Sequence, residues 1–106
     1  MKLMTEDIIK KLPGLYETEE LSEEETMVWV KYFTPDGQWS WYGIEYNPET
    51  RVFFGLVKGF VAELGYFSLT ELESVRGPMG LGVERDVHFE PVSLARVRRG
   101  CDVCSG

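Results

Sequence analysis

At 106 residues, 43% of them hydrophobic and 13% aromatic, the chain is long enough for one cored domain and too apolar to be a disordered polypeptide. Its net charge of −7 repels phosphate backbones and argues against direct binding of DNA or RNA. No apolar run reaches membrane-spanning length, the first residues lack a signal-peptide pattern, and the two cysteines lie together near the end, so a cytoplasmic protein without a disulfide framework is expected.

Thr5 can cap a first short helix, with Glu6 and Asp7 in its first turn, Lys10 and Lys11 in its last, and Pro13 as its stop. Ile8, Ile9 and Leu12 give that helix its apolar side. Glu17 to Thr26 is an acidic connector, expected to be the most mobile internal segment. Much of the charge excess sits here, since residues 1–26 hold three lysines against eight acidic groups. Solubility is the plain reading of that charge, and docking on a basic partner or mimicry of nucleic acid is the sharper one.

Met27 to Phe33 is rich in β-branched and aromatic residues and reads as a strand. Thr34-Pro-Asp-Gly37 is turn chemistry, Gln38 to Tyr46 the paired strand, Asn47-Pro-Glu-Thr50 the next turn, and Arg51 to Lys58 a third strand. Gly59 to Ala62 connects to a short fourth strand, Leu64 to Phe67. Ser68-Leu-Thr-Glu71 is a capping box opening a helix with Leu69, Leu72 and Val75 as its buried stripe. Arg76 would lie in the last turn, with Gly77 at the C′ position. Val83 to Phe89 reads as a last strand, and Pro91 and Ser93 open a final helix that Gly100 ends. The whole predicts an α+β domain over residues 1–100: an antiparallel sheet of four or five strands with short helices packed on one face. Residues 101–106 are expected to form a flexible cysteine-containing tail.

Several residues could carry chemistry. Alternation along an extended strand puts Glu84, Asp86, His88 and Glu90 on one face, a ladder of three carboxylates and the only histidine. Such a set could hold a divalent metal or use His88 as an acid or base, although a solvated polar face is the plainer reading. Arg85 falls on the opposite, apolar face. It is either an anion clamp or a structural partner of Glu63, Glu71 or Glu73. Trp39, Trp41 and Tyr42 put large rings on both faces of one strand, which implies a central position or a face covered by a partner. Met79 and Leu81, in a glycine-rich loop without a phosphate-binding pattern, are contact candidates if exposed. Cys101 and Cys104 are spaced as half of a zinc site but trail a helix, so free thiols are the simpler reading.

Leu12-Pro13, Lys31 to Pro35, Trp39-Ser-Trp-Tyr42, Phe54-Gly-Leu-Val57, Glu63 to Leu69, Glu71 to Gly77, Gly80-Leu81 and Glu84 to Phe89 together resemble a family of small bacterial proteins numbered 2958 among the domains of unknown function. The resemblance runs from about Lys2 to Arg96 and leaves the cysteine tail outside. It implies a plasmid or phage setting and supplies no catalytic residues. With that setting, the acidic bias, the excess of aromatics and the lack of catalytic signatures favour a non-enzymatic module that binds and modulates a protein partner, with no cofactor and with neither nucleic acid nor membrane as partner. Acidic mimicry of nucleic acid in an anti-defence role is one form of it. The alternatives are a small metal-dependent enzyme built on Glu84, Asp86, His88 and Glu90, and a homo-oligomeric structural protein, a homodimer being its simplest form.

Overall fold

A computed structural model describes residues 2–100. Helix α1 (Glu6–Lys11) starts where Thr5 Oγ1 accepts the Ile8 amide at 3.3 Å, with its acidic first turn and basic last turn as the sequence indicates. No residue of α1 is fully buried, but Ile8, Ile9 and Leu12 pack against the core. The acidic connector that follows is anchored rather than loose. Glu45, buried on a neighbouring strand, accepts the amides of Tyr16 at 2.8 Å and Thr18 at 2.9 Å, and the Thr18 hydroxyl. Ser22 and Glu25 close a reciprocal pair, each side chain taking the other's amide. Hydrogen bonding from the Ser22 amide, and then from its side chain, holds the Glu25 carboxyl below its ordinary range. Glu23 pairs with Arg98 at 2.9 Å, and its carbonyl accepts the Ala95 amide. Glu23 therefore ties this segment to residues 95 and 98.

The expected strand from Met27 to Phe33 is two strands. β1 (Met27–Val28) pairs with β7 (Val92–Ser93) in a small separate sheet, and β2 (Val30–Phe33) starts the main sheet. The break falls at Trp29, whose amide bonds across to the Gly43 carbonyl. β3 (Ser40–Asn47), β4 (Val52–Lys58) and β5 (Ala62–Ser68) continue as consecutive antiparallel hairpins, and β6 (Glu84–Arg85) joins the free side of β2. The sheet order is β5-β4-β3-β2-β6. The β3–β4 register shifts between Gly43 and Glu45, a bulge that sits in a row of glycines, since Gly43 faces Gly55 and Gly55 faces Gly65.

Both faces of this sheet are covered, which places β3 at the centre of the fold. On one face Val30, Tyr32, Trp41, Tyr46, Phe53 and Phe67 meet Leu69 and Leu72 of helix α2 (Leu69–Ser74), with α1 alongside. On the other face Tyr42, Ile44 and Leu56 meet Val28 and the buried Leu94 and Val97 of helix α3 (Leu94–Arg98). The fold is the α+β arrangement read from the sequence, with α1 and α2 on the expected single face and α3 on the opposite one. Each large side chain buried in these two layers contributes about 1.5–3 kcal/mol.

Two predicted boundaries shift. Ser68 does cap α2, accepting the Glu71 amide at 3.3 Å, but the helix stops at Ser74 and Val75 is already extended. Gly77 is thus not the helix terminator, because the chain is needed for an antiparallel bridge between Arg76 and Gly82. The last strand covers only Glu84–Arg85, because the Asp86 side chain takes the His88 amide at 3.0 Å and bends the chain into a turn.

Candidate functional site

One end of the sheet exposes an apolar surface. Three connections meet or approach there. The β2–β3 turn is folded by Thr34, whose hydroxyl accepts the Trp39 amide at 3.2 Å and whose carbonyl accepts the Gly37 amide. This aims Trp39 out of the strand end, 40% exposed and stacked on Trp41 with ring centres 6.2 Å apart. The β4–β5 connection is so short that the Gly59 amide reaches the Val61 carbonyl, leaving Phe60 at its tip, 95% exposed. Phe60 meets Trp39 edge-on at 6.0 Å. The third connection, residues 77–82, is pulled toward the first by Asp36. One Asp36 oxygen accepts the amides of Met79 at 2.7 Å and Leu81 at 3.3 Å, while the other is buried without a hydrogen-bond partner. Such an arrangement fixes the loop at the cost of desolvating a carboxylate. Its tip presents Met79, 82% exposed, beside an exposed Leu81.

Between the first two connections and the start of the third runs an open groove of about 850 Å³, lined among others by Trp39, Trp41, Phe60, Val75 and Pro78. Most of this lining is apolar. Exposed aromatic rings that nothing in the fold requires are the chemistry of a contact surface, since burying them elsewhere would be favourable by a few kcal/mol. Sequence reasoning found Trp39, Met79 and Leu81 but missed Phe60 and Val61. Their signal was position: two large apolar residues in the tightest connection of the meander cannot both reach a core.

The other nominated residues lie elsewhere. Tyr42 is not a contact residue. It is only 2% exposed, on the opposite sheet face, with the ammonium groups of Lys31 and Lys58 each 5.6 Å from its ring centre. Trp41 is buried and reaches the surface only as the floor of the groove. Arg85 lies opposite Tyr32 in the ladder, half-buried, with its charge opposing the rise that burial imposes on the Tyr32 hydroxyl. The predicted metal ladder is not formed, because the strand ends before Asp86 and its regular alternation ends with it. Among the described residues no three His, Cys, Asp or Glu side chains are grouped to hold a metal ion. Cys101 and Cys104 fall outside the described residues.

A second cleft, of about 710 Å³, lies beside α1 and carries most of its charge on Arg51, Glu73 and Arg76. These groups are engaged within the fold. Arg51 is held by Thr70 at 3.0 Å and Glu73 at 2.9 Å, and Arg76 donates to the carbonyls of Glu73 and Val75. Guanidinium groups committed to internal partners have fewer donors left for a ligand, so this cleft reads as the seam between the 47–51 turn and α2.

A model of the family described as "Protein of unknown function (DUF2958)" matches residues 3–97. No curated protein and no solved structure matches the chain.

Proposed function

We propose that this chain, which belongs to the DUF2958 family of proteins of unknown function, is a non-enzymatic module that binds a protein partner through the Trp39–Phe60 end of its sheet. The observation that carries the reading is Phe60, almost wholly exposed and packed edge-on against Trp39 at the rim of an apolar groove. Aromatic anchors beside a groove are what interface hot spots are made of. Apolar contact is favoured over charge mimicry of nucleic acid, because Glu23 is paired with Arg98 and Glu25 is engaged with Ser22. The plasmid or phage setting that the resemblance implies would make the partner a host protein.

A photoreactive benzophenone side chain at position 60 tests this in cells that produce the protein. A discrete adduct is expected from position 60 and none from position 49, which lies in the turn at the opposite end of the sheet. Trp39→Ala should weaken capture about 30-fold or more, the effect of losing one hot-spot ring, while leaving the thermal transition within a few degrees. Equal adducts from both positions, or capture unaffected by Trp39→Ala, would refute the surface.

A further inference from the structure

The two edges of the main sheet are built differently. β6 is two residues long and both are charged, which is how proteins protect an edge against unwanted pairing. β5 is seven residues long, pairs with β4 in an unbroken register, and carries Glu63 as its only charged residue, with neither proline nor bulge. The bonds from Leu69 to Arg51 and from Gly59 to Val61 fix the alternation of the ladder. Residues 63, 65 and 67 turn their backbone groups toward β4. Ala62, Leu64, Tyr66 and Ser68 turn theirs toward the open edge, where no backbone hydrogen bond from another described strand engages their amides. The side chains of Leu64 and Tyr66 are exposed on one sheet face and line a hollow with Tyr16 and Leu21, which are also exposed. A seven-residue edge with one charge, no bulge and unpaired amides is a strand-addition site.

We infer that its occupant is the β5 strand of a second copy, antiparallel about a two-fold axis at Leu64, joining two five-stranded sheets into one. The sequence of β5 is self-complementary in that register. Leu64 meets its own counterpart, and Tyr66 meets Ala62, so the bulky ring lies over the small residue at both ends. Ala62, Leu64 and Tyr66 all pair, leaving Ser68 beyond the paired stretch, and give about six new hydrogen bonds. Glu63 then faces Gly65, whose missing side chain leaves open space. Centring the axis one residue earlier would set Glu63 directly against Glu63, and centring it later would draw in Ser68, which caps α2. An interface of one strand plus a short apolar skirt is small, so a dimer with a dissociation constant in the micromolar range is expected. The three pairing residues do not line the Trp39 groove, and the dimer does not depend on the partner-binding reading, although Phe60 adjoins the end of the paired stretch.

The register makes the test specific. In a background with Cys101 and Cys104 replaced by Ser, Leu64→Cys puts two thiols on residues about 5.5 Å apart between α-carbons, within disulfide reach. Mild oxidation should then give a covalent dimer of Leu64→Cys at least tenfold faster than of Glu49→Cys. Ala62→Cys alone should match the slow control, and Ala62→Cys with Tyr66→Cys should crosslink. Sedimentation of the unmodified chain should show mass rising toward two chains as concentration rises through the micromolar range, and Leu64→Lys should abolish this while circular dichroism stays unchanged. A chain monomeric up to about 1 mM, or Leu64→Cys crosslinking no faster than the control, would overturn the proposal.

Discussion

Gly55→Ala is expected to unfold the domain or cost it most of its stability. A β-carbon at Gly55 would run into the Tyr42 carbonyl oxygen on the adjacent strand and stand 3.2 Å from the Phe67 ring. The first obstacle is backbone in the central strand of the fold, beside the bulge, and it cannot swing aside as a side-chain tip could. Relief requires β3 and β4 to separate next to the bulge. A domain of this size has about 5–15 kcal/mol in total, and a clash of this kind takes several of them. Gly65→Ala supplies the comparison, because a β-carbon there meets nothing within 4 Å. Thermal unfolding followed by circular dichroism should find Gly65→Ala within about 4 °C of the parent, and Gly55→Ala insoluble or lowered by at least about 15 °C. Similar melting of the two would show that the sheet flexes at the glycine row.

Phe53→Ala should be the most damaging truncation in the core. Its ring lies 4.5 Å from Tyr46, 4.9 Å from Phe67 and 5.8 Å from Tyr32, so three other rings lose their shared neighbour at once. The transfer and cavity terms for such a change sum to about 3–5 kcal/mol, or a fall of at least about 12 °C in melting temperature. Phe54, next along the chain, points to the other face, is half-buried and has its ring against the exposed Tyr66 at 5.2 Å. Phe54→Ala should cost less than half as much. Equal losses from the two truncations would mean that the Phe53 layer closes around the vacancy.

The parts of this fold legible in the sequence are those settled within a few residues. Thr5, Ser68 and Ser93 cap the three helices because each side chain has only to reach an amide three positions on. Thr34-Pro-Asp-Gly37 and Asn47-Pro-Glu-Thr50 turn the chain where they were expected to. The misreadings have long-range or side-chain causes. Trp29 divides a run rich in β-branched and aromatic residues because the partner of Met27 and Val28 is Val92–Ser93, far along the chain. Asp86 ends a strand that periodicity would continue, by offering His88 a closer acceptor. Tyr42 looked like a contact residue because rings on both faces of a strand fit a central strand as well as an interface, and β3 is central. Phe60 was missed for the converse reason: hydrophobicity implies burial until the tightness of the connection is known.

Pairing of β1 with β7 has a consequence for the order in which the molecule comes apart. The β2–β5 meander is made of neighbours in sequence and closes only short loops, whereas Met27 against Ser93 closes the longest loop among the described strands. Two short strands, the Glu23–Arg98 pair, the bonds from Leu94 to Thr26, from Ala95 to Glu23 and from Lys58 to Val97, and the burial of Leu94 and Val97 hold that closure. Partial opening should therefore release the acidic segment and α3 together, and the amides of Leu94 and Ala95 should exchange with solvent well before those of β3 and β4. Exchange of all of them at one rate would mean a single cooperative unit. Where the sequence of opening holds, the first species formed bares Ile44 and Leu56, so the most aggregation-prone form of this acidic protein is one whose sheet is still intact.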